Sequence, residues 1–164
     1  MRNYSVGLGF DVHRLSKRKK DLILGGAKIP STFSLIAVSD GDVLLHAVVD
    51  ALLGSISMGD IGQHFPSSDN QWKDANSSVF LSHTYSLLTQ SGYKIQNIDA
   101  TVTLQEPHIN QYIPKMRANI ATILQINQDA VSVKATTSDH LGYCGRSEGI
   151  SATAIALVSK EESE

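Results

Sequence analysis

Residues 39–66 read SDGDVLLHAVVDALLGSISMGDIGQHFP, and this stretch limits what the chain can fold into more than any other. From Val43 onward its apolar residues are nearly continuous, so an element built from them must be enclosed around most of its circumference. Asp42, His46 and Asp50 interrupt the run at intervals of four, which on a helix stacks them along one face. Buried polar groups need partners, and a polar stripe on an enclosed helix is a candidate place for chemistry. Ser39, Asp40 and Asp42 can cap a helix that runs to about Leu53 and stops at Gly54. Farther on, Gly59, Asp60, Ile61 and Gly62 end the helical stretch and free backbone amides to meet a ligand.

Around that helix the chain alternates elements. Tyr4 to Leu8 has strand composition, with Gly9 closing it just before Phe10, Asp11, Val12 and His13. Residues 21–30 carry a short strand or hairpin signal. Phe80, Leu87 and Leu88 fit a helix from Ser77 to about Ser91, stopped by Gly92, and residues 95–104 form a β-branched strand that breaks at Pro107. Ile113, Met116, Ile120, Ile123 and Leu124 stripe a third helix over residues 111–124, with Pro114 tolerable in its first turn. Strands over 131–136 and 149–159 follow, the last apolar on both faces, as a sheet covered on both sides requires. The SKRKK run at 16–20 and the polar segment 65–76 read as solvated loops.

The length of 164 residues suits a single domain over residues 1–164. A hydrophobic share of 41% with 18% charged residues excludes a disordered chain, and no apolar run is long enough to span a bilayer. The net charge of -2 gives no general attraction to nucleic acid. A lone Cys144 forbids an internal disulfide and suits a reducing compartment. The opening MRNYSVGLGF lacks the apolar core of a signal peptide, so the expectation is a soluble cytoplasmic protein with neither membrane nor nucleic-acid partner.

Asp11 and His13 are two apart, and in extended chain both side chains point to one side, as two ligands of one ion must. With His46 they supply one carboxylate and two imidazoles. Three protein ligands and an open fourth position characterise catalytic rather than structural zinc, with bonds of roughly 2.0–2.2 Å, and the open position can take a phosphate oxygen. Taken singly, His46 also reads as a buried, hydrogen-bonded histidine and Asp11 as a turn cap. Thr136, Thr137, Ser138 and Asp139 offer hydroxyls and amides for phosphate oxygens and a hard carboxylate for Mg²⁺ or Mn²⁺, although such clusters also form plain turns. Arg146 suits an anion or an ordinary surface ion pair.

These residues fall within four motifs: GFDVH at 9–13, SDGDVLLHAVVDALLG at 39–54, GDIGQHFP at 59–66 and KATTSDHLGYCGRSEG at 134–149. Taken in order along the whole chain, they resemble the 2-C-methyl-D-erythritol 2,4-cyclodiphosphate synthase family. The resemblance implies a phosphorus-oxygen lyase that converts 4-diphosphocytidyl-2-C-methyl-D-erythritol 2-phosphate to the cyclic diphosphate with release of CMP, in the non-mevalonate route to isoprenoid precursors. It implies one Zn²⁺ per subunit on Asp11, His13 and His46, and a second ion, Mg²⁺ or Mn²⁺, on Asp139, where the family commonly has glutamate. Thr137 and Asp139 are the implied catalytic residues at the diphosphate. Asp60, Ile61 and Gly62 map to the grip on the erythritol hydroxyls, and Gln105, Pro107, His108 and Thr136 to the nucleotide side. Asp11, His13, Ser39, Phe65, Asp69, Tyr143 and Arg146 complete the implied substrate contacts, while Asp42 and Asp50 read as helix support or as orienters of the histidines. Val38, Ser67 and His108 depart from the family's usual histidine, aspartate and lysine.

The implied fold is α+β: a four-stranded mixed sheet, covered on one face by helices, with the other face packed at a homotrimer axis. Active sites then lie between subunits. Two other readings of the same residues are a metal-dependent phosphohydrolase, in which zinc activates water, and a trimeric nucleotide-binding scaffold without catalysis.

Overall fold

The computed structural model describes residues 2–161. Its strands are β1 (Arg2–Ser16), β2 (Leu22–Leu24), β3 (Ala27–Ile29), β4 (Ser34–Ile36), β5 (Tyr93–Thr103), β6 (Val131–Thr136) and β7 (Gly149–Glu161). Its α-helices are α1 (Val43–Ser55), α2 (Ile61–His64), α3 (Ser77–Gln90), α4 (Ile113–Ile123) and α5 (Gly142–Gly145). The main sheet runs β4-β1-β7-β5-β6, parallel only between β5 and β6, and β2 with β3 forms a separate hairpin. The sheet is thus mixed, as expected, but has five strands rather than four. The fifth, β4, is three residues long and pairs only with Arg14 to Ser16 at the end of β1, too short for a period-two pattern to register.

A second difference fixes the position of the site. Gly9 does not end β1, which continues unbroken past Asp11 and His13. A Cβ at Gly7 would lie 1.8 Å from the carbonyl oxygen of Ala51, and one at Gly9 would lie 1.9 Å from that of Ala47. The two glycines are therefore clearances, not stops: they let the backbone of α1 lie against the backbone of β1. Ala152, Ala154 and Ala156 of β7, all buried, extend the shallow floor on which α1 rests. Eleven residues of α1 are buried, including His46, so the helix is enclosed nearly all round, as its composition requires.

Gly54 lies inside the last turn of α1, and Gly62 lies inside the short helix α2. The Gly59 to Gly62 segment therefore begins a helix, capped by Asp60, whose side chain accepts the Gln63 N–H. Asn76 caps α3 in the same way, through Ser78 N–H.

The face of the sheet opposite the helices is apolar and open. Val6 (64% exposed), Leu8 (67%), Phe10 (53%) and Ile155 (46%) stand on it. Within one chain β7 buries Ile150, Ala152, Ala154, Ala156 and Val158 on its helix side, while Thr153 and Ile155 in the middle of its other face are exposed.

Asp42, fully buried, accepts N–H bonds from Gly25 (2.9 Å), Gly26 (2.7 Å) and Leu45 (3.0 Å), joining the β2–β3 turn to the start of α1. Burial pushes its carboxyl up to about 6, against the pull of the three donors.

Two outcomes are expected. Gly9→Ala should lower stability by more than about 3 kcal/mol in urea denaturation, since the added methyl meets backbone and not a movable side chain; a loss below about 1 kcal/mol would show that α1 can retreat. Because the folded value for Asp42, about 6, exceeds its ordinary 3.8, its contribution is complete below the lower figure and declines as pH rises through the higher. The stability advantage of wild type over Asp42→Asn should therefore narrow across that interval, whereas a widening advantage would mean that the N–H donors outweigh burial.

Candidate metal centre

Asp11 and His13 project from β1 on the helix side, two residues apart, and His46 descends from the first turns of α1. Their facing atoms form a small triangle: Asp11 Oδ2 to His13 Nε2 is 3.0 Å, Asp11 Oδ2 to His46 Nδ1 is 2.9 Å, and His13 Nε2 to His46 Nδ1 is 3.2 Å. Ligands at the corners of a tetrahedron with bonds of 2.0–2.1 Å stand about 3.3 Å apart. The three atoms thus already sit at nearly the separation that one zinc-sized ion would impose, and among the described residues they form the one such cluster. Burial raises the Asp11 carboxyl, but its hydrogen bonds with His13 and His46 more than offset this and hold it at about 2. An ionised carboxylate with two imidazoles, partly open to solvent, is the donor set of a catalytic zinc site.

A cleft of about 240 Å³ opens over this triangle. Ser39, Ile61, Gly62 and Phe65 line it, as do Val38 and Ser67. Trp72 and Phe80, which the sequence did not single out as site residues, add an aromatic wall, with Phe65 4.6 Å from Phe80 and 5.3 Å from Trp72 between ring centres. Asp60 does not line the cleft; it caps α2 and accepts from the backbone and side chain of Gln63. Asp69 likewise caps the short 3₁₀ turn Asn70–Trp72 beside the cleft.

The far side of the His46 ring departs from expectation. Its Nε2 lies 2.8 Å from the hydroxyl of Ser77, at the start of α3, and 3.4 Å from that of Ser39. The Ser77 hydroxyl in turn bonds Asp40 Oδ1. Asp42 and Asp50, read from the sequence as helix support or as orienters of the histidines, take the first role and make no hydrogen bond to an imidazole: Asp42 caps α1 and is committed to the three amides described above, and Asp50 accepts the Ile61 N–H at 2.7 Å. Burial is the main reason that the Asp50 carboxyl is raised, and this amide opposes it. Asp50 thus fastens α2 to α1, and the support for His46 comes from the loop before the helix. Asp40 carried only a capping signal, and Ser77 lies 31 residues from His46, so no local pattern joined them.

A second group gathers elsewhere. Gln105, Pro107, His108, Thr136 and Thr137 line a pocket of about 160 Å³, entered through a cis Glu106–Pro107 bond. Asp139 follows on the same loop with a left-handed φ of 57°, its N–H 3.4 Å from Thr137 Oγ1, and the His140 N–H donates to Gln105 Oε1 at 3.2 Å. Tyr143 and Arg146 lie outside both pockets, Arg146 pairing with Glu148 at 3.0 Å. Sheet register places Thr136 beside Thr103, Ser151 and Val12 in turn, level with the metal triangle but three strands away. At the usual spacing that is about 14 Å. One chain therefore carries the triangle and this pocket at one level of its sheet, three strands apart.

The YgbB family model matches residues 4–159. A protein of Syntrophomonas wolfei named 2-C-methyl-D-erythritol 2,4-cyclodiphosphate synthase is 50% identical over 155 residues, covering 94% of this chain and 98% of its own. Among solved structures, the bifunctional IspDF from Campylobacter jejuni gives a TM-score of 0.94 at 36% identity, over 99% of this chain and 44% of that chain. IspF of Plasmodium falciparum in complex with CDP gives 0.85 at 32% identity over 97% of each. With its fold and nearly its whole length matched in this way, the chain belongs to the YgbB family.

Proposed function

We propose that the chain is a 2-C-methyl-D-erythritol 2,4-cyclodiphosphate synthase. It takes 4-diphosphocytidyl-2-C-methyl-D-erythritol 2-phosphate, joins an oxygen of the 2-phosphate to the β-phosphorus, and breaks the bond from that phosphorus to CMP, as a phosphorus-oxygen lyase. The observation that carries this reading is the triangle of Asp11, His13 and His46 under an anion-sized cleft, in a chain half identical to proteins of that name. The attacking phosphate is already ionised, so no general base is needed, and rate must come from positioning and charge neutralisation.

In this reading Asp11, His13 and His46 hold Zn²⁺ and Asp139 holds Mg²⁺ or Mn²⁺; bound there, the ions supply Lewis-acid polarisation and offset the charge on the diphosphate. The Thr137 hydroxyl donates to a diphosphate oxygen and Thr136 stands beside it. Ser39, Asp60, Ile61, Gly62 and Phe65 face the erythritol end, with Asp69 behind them. Gln105, Pro107 and His108 take the cytidine end, and Tyr143 and Arg146 close the nucleotide side. The reaction needs both half-sites within the length of one substrate, and a second copy of the chain supplies the missing half. The open face of Val6, Leu8, Phe10 and Ile155 supports a homotrimer packed through the sheet. The protein is a single domain that works in the cytoplasm without nucleic acid or membrane; no described helix is long and apolar enough to cross one.

Incubation with the cytidyl substrate, zinc and Mg²⁺, followed by ³¹P NMR, should show the cyclic diphosphate and stoichiometric CMP; inorganic phosphate in their place would identify a hydrolase. His46→Ala should remove bound zinc and lower turnover by at least about 100-fold, because two ligands do not complete a zinc site. Leu8→Glu, which would bury an unpaired charge in the trimer, should give monomers by light scattering and at least about a tenfold loss of activity; active monomers would contradict the shared site.

A further inference from the structure

The carboxylate nearest the back of His46 belongs to the loop before α1. Asp40 Oδ1 accepts the Asp42 N–H at 3.1 Å, and Oδ2 accepts the Ser77 N–H at 3.0 Å. Both oxygens are therefore committed as acceptors. The Ser77 hydroxyl, which also meets Asp40 Oδ1, has to point its proton at the carboxylate. A hydroxyl whose proton is used in that direction can offer only lone pairs to its other neighbour. That neighbour is His46 Nε2, at 2.8 Å, so Nε2 must carry the hydrogen and donate it. In a neutral imidazole this leaves the lone pair on Nδ1, the atom that faces Asp11 and His13. Ser77 is fully buried, which keeps water from replacing the hydroxyl. Ser39 is the rival partner of Nε2, but it is 3.4 Å away and its oxygen already accepts the Gly41 N–H at 3.2 Å.

We propose that Asp40 and Ser77 are positioning residues of the metal centre: through an Asp40–Ser77–His46 relay they impose the tautomer and ring orientation that present His46 Nδ1 to the ion. The relay rests on the zinc reading above. It also gives α3 a role in the site, since Ser77 is the first residue of that helix and the relay closes only when α3 is docked against the 39–42 loop.

The test measures zinc affinity of the full chain by competition with a chelator, together with long-range ¹H–¹⁵N NMR of the imidazoles in the zinc-loaded protein. Supporting partners of metal-bound histidines are worth about 10- to 100-fold in affinity. Ser77→Ala and Asp40→Asn should each weaken zinc by that much, the double variant should be little worse than either alone, and Ser39→Ala should change affinity by less than about threefold. The wild-type spectrum should place a slowly exchanging proton on His46 Nε2, and Ser77→Ala should speed its exchange. The spectrum of the wild type needs no variant to fold, and a proton found on Nδ1 there would overturn the relay. So would a Ser77→Ala affinity within about twofold of wild type while Asp11→Asn loses zinc. If Asp11→Asn also leaves zinc binding unchanged, the zinc reading itself fails and the relay falls with it.

Discussion

The rest of the structure depends on the backbone contact between α1 and β1. A helix laid on a sheet normally keeps its distance through the side chains of both, and a donor triangle about 3 Å on a side cannot bridge such a gap with one short imidazole. Gly7 and Gly9 remove the side chains on the strand, and Ala47 and Ala51 keep those on the helix small. Two and four residues farther along β1, the same side of the strand carries Asp11 and His13, and immediately before Ala47 on α1 stands His46. The layer of side chains that is missing under the middle of the helix reappears at its first turn as the ligand set. Packing and site are thus one device: the glycines bring the two backbones together, and the acidic and imidazole groups fill the space that remains.

Much of this was legible in the sequence, and the parts that were not share a cause. The enclosed helix, the alternation of elements and the candidate ligands Asp11, His13 and His46 all rest on local spacing, period two on a strand and four on a helix, which survives folding unchanged. The end of β1 was misplaced because glycine weakens strands in isolation, whereas here it answers to a helix nearly forty residues away. Gly62 reads as a stop for a similar reason, although Asp60 caps a new helix across it. Asp42 and Asp50 read as helix support or as orienters of the histidines, and the structure keeps the first role; the hydroxyl against His46 Nε2 is that of Ser77, whose position follows from how α3 packs against α1. The pocket that residues 105–110 share with Thr136 and Thr137 had no local signal, because the two segments meet only through the parallel pairing of β5 with β6.

The proposed division of the active site into two halves fits the character of the sheet. A sheet that leaves Val6, Leu8, Phe10 and Ile155 in water holds apolar surface that a monomer has no means to cover. The triangle faces the helices while the open face lies behind it, so copies joined through that face leave every triangle clear. In the proposed trimer the same association would bury the apolar face and bring the Thr136–Asp139 loop of one copy toward the triangle of the next. Activity would then be tied to assembly by geometry, without any conformational change in the subunit.

Four carboxyl groups lie close to His46, and their separate fates explain how an acidic neighbourhood can receive a phosphate. Zinc with Asp11 and two neutral imidazoles retains one positive charge, while a second carboxylate on the ion would cancel it and a third would repel the substrate. Asp42 spends its oxygens on Gly25, Gly26 and Leu45; Asp50 on Ile61; and Asp40 on Asp42, Ser77 and the Ser77 hydroxyl. Each is held by backbone N–H groups, whose partial positive charge it meets away from the cleft. Burial raises the Asp42 carboxyl, and burial with the nearby charges of Asp60 and Asp11 raises that of Asp50. Among the four, Asp11 alone turns an oxygen to the imidazole nitrogens of the triangle, and its hydrogen bonds with them hold its carboxyl at about 2. The polar stripe along α1 is therefore not a row of ligands. In the proposed site it is one ligand flanked by two acids kept out of coordination, an arrangement that would leave a bound ion electrophilic.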